Sequence, residues 1–160
     1  MTQITFKSDP ITVEGTLPSL NEKAPVFSLH NTKDALIDND TYLGKKVLIS
    51  VFPDINTRVC DLQTKRMFEM LKEAHDVEIL NVSNNSKDDL KNWCLLQDID
   101  MQMLVDEDGT FAKAYGLWMP ELEKLARSVF VIDEKGNIVY QELVSEMTHE
   151  PDYEALKAYL

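Results

Sequence analysis

The chain contains two cysteines, Cys60 and Cys94, and these are the side chains best suited to covalent chemistry. Cys60 stands where the apolar run 47–52 gives way to apolar residues at helical spacing, which predicts a strand followed by a helix that begins near the thiol. A thiolate is a far better nucleophile than a thiol, and the unpaired N–H groups at a helix N-terminus stabilise negative charge. Cys60 is therefore the candidate nucleophile.

Other polar groups near Cys60 are also needed, because enzymatic rates depend on hydrogen-bond donors aimed at the transition state. Thr57, three residues before the cysteine, can direct its hydroxyl into the same turn. Arg58 and Arg127 are candidate cations, and Pro53 can shield the site without adding a backbone donor.

Each of these residues also has a purely structural interpretation. A cysteine on an apolar helix face is commonly a small buried hydrophobe, and this applies to Cys94 beside Trp93 as much as to Cys60. Thr57 can serve as an N-cap, and Arg127 as a solvated residue at the edge of a strand. Taken singly, none of them decides between structure and chemistry.

Other chemistries have weaker support in the sequence. There is no C-x-x-C pair, which excludes ordinary thioredoxin-type exchange, and no glycine-rich nucleotide-binding loop. No zinc-ligand spacing connects the cysteines with the histidines, which are His30, His75 and His149. A Cys–His hydrolase stays open on spacing alone. The four aspartates between residues 98 and 108 are interpreted as a solvated turn, with Ca²⁺ binding as the less favoured alternative.

The charge balance narrows the range of partners. With 28 acidic and 16 basic residues the net charge is −12, which argues against nucleic acid or an anionic membrane, because phosphate binding needs clustered Lys and Arg. The N-terminus lacks signal-peptide features, and no apolar run approaches the ~20 residues of a membrane span. We therefore expect a cytoplasmic protein, in which a disulfide is transient rather than structural.

Periodicity and turn signals predict one α/β domain over residues 1–160, with the order β-α-β-α-β-α-β-β-α. The first fifteen residues predict a hairpin with its turn at Asp9-Pro10, and Ser86 is the predicted N-cap of the second helix. The order favours a mixed central sheet with helices on both faces. Further strands are predicted over 26–29, 47–52, 77–82, 101–105, 126–132 and 138–144, and further helices after Cys60, over 110–115 and from Pro151.

Four segments together resemble the thiol peroxidases of the atypical 2-Cys peroxiredoxin family. These are FPDINTRVC, NWC, LARSVFVIDEKGNIVY and HEPDYEAL, and the likeness covers nearly the whole chain. The P-x-x-x-T-x-x-C pattern that ends at Cys60 is the most specific part of it. The resemblance implies a thioredoxin-like fold and reduction of hydrogen peroxide and organic hydroperoxides.

The resemblance also implies roles for individual residues and partners. Cys60 would be the peroxidatic cysteine and Cys94 the resolving cysteine, while Pro53, Thr57 and Arg127 complete the peroxide pocket. Thioredoxin would be the electron donor and the protein a homodimer that packs near the site, with no metal or organic cofactor.

The chain departs from the family pattern at a few positions. Asn56 replaces the usual Asp before the motif threonine, and Arg58 replaces a small residue; we expect Arg58 to extend into solvent. The residues around Cys94 match the family less well than those around Cys60. The weaker match around Cys94 bears on the rate of resolution and on the identity of the reductant.

The implied cycle predicts a conformational change. Cys60 is oxidised to a sulfenic acid, which then condenses with Cys94 to form an intramolecular disulfide. A disulfide needs Cα atoms within about 7 Å, and two cysteines in separate helices are not expected to lie that close when reduced. We therefore predict local unwinding at Cys60, Cys94 or both.

Two further hypotheses belong to other functional classes. One is a peroxide-sensing redox protein that relays oxidation to a partner through Cys94. The other is an inactive thioredoxin-fold module with two inert thiols. Catalytic turnover with thioredoxin distinguishes the enzyme from both alternatives.

Overall fold

A mixed β-sheet of seven strands forms the centre of the protein, seen in a computed structural model that describes residues 2–74 and 76–160. The helices are α1 (Arg58–Glu73), α2 (Lys87–Gln97), α3 (Thr110–Ala114) and α4 (Tyr153–Lys157). The strands are β1 (Thr2–Phe6), β2 (Asp9–Val13), β3 (Ser28–Asn31), β4 (Leu36–Asp38), β5 (Lys46–Val51), β6 (Val77–Ser83), β7 (Gln102–Val105), β8 (Trp118–Met119), β9 (Lys124–Leu125), β10 (Ser128–Ile132) and β11 (Ile138–Leu143).

The central sheet has the strand order β11-β10-β5-β6-β7-β3-β4. β5, β6 and β7 run parallel, while β10 and β3 pair antiparallel with their neighbours in this group. Strands covered on both faces are largely apolar, and β5 (KVLISV) is buried at every position after its lysine. The prediction of a buried strand over residues 47–52 is confirmed.

Helices cover both faces of the sheet, as the sequence predicted. Val47, Ile49 and Val51 of β5 pack into one apolar cluster, which also contains buried residues of α3 and of the β1–β2 hairpin. Leu48 points to the opposite face and packs with residues of α1, α2 and α4. The alternation along a strand therefore assigns three helices to one face and α3 to the other.

The N-terminal hairpin is present, but its turn lies at Lys7 and Ser8 rather than at Asp9-Pro10. Both turn residues have positive φ, 51° and 72°, the geometry in which a two-residue turn matches the twist of the strands it connects. Pro10 lies inside β2 opposite Thr5. The predicted turn position was wrong because composition favoured Asp-Pro while strand twist selected the preceding pair.

Smaller differences concern short strands. The strand predicted over residues 26–29 lies at Ser28–Asn31, and Val26 before it is exposed. β4, β8 and β9, each of two or three residues, were not predicted, because so few residues carry no periodic signal.

The two cysteine-bearing helices begin at the carboxyl ends of parallel strands. α1 follows β5 and α2 follows β6, so both start at the same edge of the sheet. Ser86 is the N-cap of α2 and accepts a hydrogen bond from the Asp89 N–H at 3.1 Å, as predicted. Within residues 2–74 and 76–160, no helix has both the length and the apolar character that a membrane span requires.

We predict that Gly116→Ala destabilises the fold more than Gly44→Ala, and urea unfolding measures both. Each glycine has positive φ, at +70° and +89°, so alanine is strained at either position. A Cβ on Gly116 would also overlap the backbone at Thr16 and Leu17, whereas one on Gly44 meets no described atom within 4 Å. We expect losses of about 3 and about 1 kcal/mol, respectively. Equal losses would contradict the close approach at Gly116.

Candidate active site

The Cys60 thiol is fully buried in the first turn of α1, just beyond the carboxyl end of β5. Two donors face its sulfur. The backbone N–H of Asp54 and the Nη1 of Arg127 each lie 3.4 Å from Sγ. A backbone dipole and a full positive charge thus converge on one atom, an arrangement that stabilises negative charge there.

The loop before α1 positions the first of these donors. Phe52 donates to the Val82 carbonyl at 3.1 Å, and Pro53, which has no N–H, then leaves the sheet. The Asp54 carbonyl accepts from both the N–H and the hydroxyl of Thr57, at 3.0 and 2.8 Å. This tight turn leaves the Asp54 N–H free to face the sulfur.

Thr57 occupies the N-cap position of α1, but its side chain does not cap the helix. Its hydroxyl bonds back into the turn, as the sequence suggested, and the residue is exposed. Pro53 is half-buried in the same loop. Both therefore lie in the segment that holds Cys60.

Arg127 is buried, with 2% of its surface exposed, so its interpretation as a solvated edge residue was wrong. It immediately precedes β10, and three hydrogen bonds to two acceptors fix its guanidinium. Nε and Nη2 donate to the Met147 carbonyl at 3.1 and 2.8 Å, and Nη1 donates to Gln63 Oε1 at 2.8 Å. Its orientation toward Cys60 is thereby fixed by the fold itself.

Gln63 belongs to the site and was missed in the sequence analysis. It is fully buried one turn after Cys60, and its Nε2 donates to Ser50 Oγ at 2.8 Å while its Oε1 holds Arg127. The signal was present in the spacing, because positions i and i+3 share a helix face. A glutamine on an otherwise apolar face indicates a specific hydrogen-bond partner.

Asn85 is a second residue that the sequence analysis missed. Its Nδ2 donates to Asp54 Oδ1 at 2.9 Å, and its Oδ1 accepts from the Ile55 N–H at 2.9 Å. Ser83 at the end of β6 donates to the same oxygen at 3.0 Å. Asn85 thus ties the loop that holds Cys60 to the loop that begins α2.

At the two positions that depart from the family pattern, the side chains lie outside this network. Arg58 is exposed, as expected, and Arg127 is the arginine that contacts the thiol. Asn56 is also exposed and uses its backbone N–H to donate to Asp54 Oδ1 at 3.0 Å.

Cys94 is half-buried on α2 and, like Cys60, is a free thiol. Burial raises the pKa of the Cys94 thiol; the charge of Asp100 acts in the same direction, and a hydrogen bond with the Met101 backbone opposes them. The thiol borders an open groove of about 570 Å³. The next two side chains, Leu95 and Leu96, are more than 80% exposed.

One aspartate of the acidic segment has a structural role. Asp106 is fully buried, and its carboxylate accepts from the N–H groups of Phe111 and Ala112 at 3.0 and 2.9 Å, which caps α3. The interpretation of a solvated turn was therefore wrong for Asp106. Among the residues with described positions, no three His, Cys, Asp or Glu side chains are placed to hold a metal ion, and His75 lies outside them.

Comparison with known proteins gives a consistent result. Residues 20–141 match the AhpC/TSA family. The chain is 43% identical to a thiol peroxidase of Staphylococcus epidermidis over 162 residues, covering 99% of this chain and 98% of the relative. A peroxiredoxin-like protein from Aquifex aeolicus has a similar structure, with a TM-score of 0.90, 26% identity and coverage of 98% and 94%. A thiol peroxidase from Chromobacterium violaceum shares the fold, with a TM-score of 0.92, 15% identity and coverage of 99% and 95%. These likenesses confirm the predicted thioredoxin-like α/β fold.

We predict that Cys94 is alkylated by iodoacetamide with a pH midpoint above that of an ordinary thiol. Only the thiolate reacts, and the raised pKa keeps the group protonated to higher pH. Cys60→Ser is the background, so that a single thiol is read out. In urea the midpoint should fall to the value of a free cysteine, and an equal midpoint in folded and unfolded protein would contradict the effect of burial.

Proposed function

The chain belongs to the AhpC/TSA family, and we propose that Cys60 is its peroxidatic cysteine and Cys94 its resolving cysteine. The chain is a peroxidase that reduces hydroperoxides through a cysteine thiol, in keeping with the thiol peroxidases it matches over its full length. The observation that carries the residue assignment is the pair of donors 3.4 Å from Cys60 Sγ.

In the first step the Cys60 thiolate attacks one oxygen of the hydroperoxide. The O–O bond breaks, the sulfur becomes a sulfenic acid, and the second oxygen leaves as water or an alcohol after taking up a proton. Negative charge moves from the sulfur onto the departing oxygen. Arg127 stabilises that charge, because its guanidinium is already fixed at the reacting atom.

Thr57 and Pro53 complete the proposed pocket. The Thr57 hydroxyl donates its proton to the Asp54 carbonyl, so the lone pairs of its oxygen can accept a hydrogen bond from the peroxide O–H. The half-buried ring of Pro53 limits the access of water to the loop without adding a competing donor.

The second step regenerates the enzyme. The Cys94 thiol attacks the sulfenic sulfur, an S–S bond forms and water leaves. A dithiol of the thioredoxin type then reduces the disulfide, and the open groove beside Cys94 gives such a protein access. Because Cys60 starts buried in a helix, the predicted local unwinding precedes bond formation.

The remaining parts of the proposal concern the organisation of the protein. We propose that residues 1–160 act as one domain, in a cytoplasmic homodimer that uses no metal or organic cofactor. The single domain and the location are inferred from the composition and pattern of the sequence, and the dimer and the lack of a cofactor from the resemblance to the family. The mass of the particle in solution tests the dimer.

Exchanging each cysteine tests the assignment. We predict that Cys60→Ser abolishes reaction with hydrogen peroxide, because the attacking sulfur is lost. Cys94→Ser should consume one equivalent of peroxide rapidly and then stop, even when thioredoxin and its reductase are present. Peroxide consumption and intact mass measure both outcomes. Continued turnover by Cys94→Ser would show that Cys94 is not the resolving cysteine, and a single oxidation of the wild type would favour the sensor.

The two candidate arginines can be separated in the same way. We predict that Arg127→Gln slows oxidation of Cys60 about 100-fold, the effect of losing one preorganised donor at the developing charge. Arg58→Gln should change the rate less than about twofold, because an exposed side chain contributes little. Stopped-flow oxidation gives both rates, and similar losses in the two variants would contradict the assignment of Arg127.

A further inference from the structure

A hydrogen bond joins α1 to α2 beside both cysteines. The indole Nε1 of Trp93 donates to Asp61 Oδ1 at 2.8 Å. Asp61 directly follows Cys60 in the chain, and Trp93 directly precedes Cys94. The bond therefore connects the two segments that must rearrange if the cysteines are to pair.

Both partners are well anchored. Trp93 is 6% exposed and packs in the apolar cluster that contains Cys60 and Leu90. Asp61 lies in the first turn of α1, and its second oxygen forms an ion pair with Lys65 at 3.0 Å. A bond from an indole N–H to a carboxylate is stronger than one between neutral groups, and part-burial protects it from competing water.

We propose that the Asp61–Trp93 bond is a latch that holds α1 and α2 together while Cys60 reacts and limits the rate at which Cys94 reaches the sulfenic acid. The proposal rests on the proposed function of the two cysteines. To pair with Cys94, the Cys60 sulfur must leave Asp54 and Arg127, and a shift of either helix turn pulls Asp61 away from Trp93. Asp61 and Trp93 are positioning residues, since the two groups that hydrogen-bond to the Cys60 sulfur are Asp54 and Arg127.

The latch decides between two fates of the oxidised enzyme. Cys60 sulfenic acid either condenses with the Cys94 thiol, releasing water, or reacts with a second hydroperoxide, giving sulfinic acid and an alcohol or water. A latch that opens slowly lengthens the life of the sulfenic acid and favours the second reaction. The strength of one bond between helices thus sets the tolerance of the enzyme to excess peroxide.

A double-mutant cycle on the lifetime of the sulfenic acid tests the latch. Trp93→Phe removes the donor, Asp61→Ala removes the acceptor, and the double variant removes both. Rapid quenching, alkylation and mass spectrometry follow the sulfenic acid and the Cys60–Cys94 disulfide. We expect each single variant to form the disulfide about tenfold faster than the wild type, because one charge-assisted bond is lost. The double variant should be no faster than either single variant.

Matched variants separate the bond from other effects of these residues. Lys65→Met breaks the ion pair of Asp61 but keeps the Trp93 bond, so the lifetime should change less than about twofold. Asp61→Asn retains an acceptor but loses the charge, so its sulfenic acid lifetime should lie between those of the wild type and Asp61→Ala. Trp93→Phe should leave the rate of Cys60 oxidation within about twofold of wild type while disulfide formation becomes faster. General loosening of the fold would change both rates.

Two readouts complete the test. With thioredoxin recycling, the peroxide concentration that converts half of Cys60 to sulfinic acid should rise about tenfold in Trp93→Phe, in step with faster resolution. Amide exchange over residues 58–62 and 92–96 of the reduced protein should also accelerate. Unchanged lifetimes, or additive effects in the cycle, would overturn the latch while leaving the cysteine assignment intact. Failure of the wild type to form the Cys60–Cys94 disulfide would overturn the proposed function itself.

Discussion

A buried guanidinium that faces a buried sulfur is the interaction on which the rest of the site depends. Arg127 is almost completely removed from water, and a cation in such a place is tolerated only when its donors are used. Met147 and Gln63 supply neutral acceptors, and the remaining contact is to Cys60 Sγ, where negative charge arises once the thiol loses its proton. Burial makes the arginine costly to place, and it also makes its attraction for charge at the sulfur strong, because little water screens it.

Strand register brings these groups together from distant parts of the chain. β5 and β10 pair antiparallel with Val51 opposite Ser128, so the end of one strand meets the start of the other. The loop to Cys60 leaves from β5, and Arg127 immediately precedes β10. A slip of one residue would turn Ser50, which binds Gln63, to the other face of the sheet. The apolar burial of both strands thus fixes the geometry around Cys60 as well as the core.

The sequence predicted what local pattern and type of chemistry can reveal. Continuous apolar runs located the central strands, and the P-x-x-x-T-x-x-C pattern located the loop around Cys60. Asn85 was missed because its role consists of hydrogen bonds to residues far away in the chain, which no local pattern encodes. Gln63 did carry a local signal, a glutamine one turn after Cys60 on a buried helix face, but its partner Arg127 could be identified only from the fold. Asp106 was also misjudged from local sequence. Its position in an acidic run predicted an exposed side chain, whereas its carboxylate is buried and accepts hydrogen bonds from the first turn of α3. The position of the hairpin turn was predicted wrongly because Asp-Pro is a residue pair that is common in turns. The twist of the two strands instead requires a positive φ at both turn residues, and Lys7 and Ser8 adopt it.

The proposed cycle requires Cys60 to be held in place while it reacts and then to be released so that it can pair with Cys94. The two cysteine-bearing helices differ in how much apolar burial they lose when they move. α1 buries a continuous face from Cys60 through Met67 to Met70, so its displacement exposes core. The last turn of α2 is different, since Leu95 and Leu96 are already in solvent and the helix ends at Asp98 in a left-handed conformation. Moving the Cys94 end of α2 therefore loses little apolar burial once Trp93 is released. The apolar burial that such a movement would lose is concentrated in one anchored indole, and this is the residue on which the proposed latch depends.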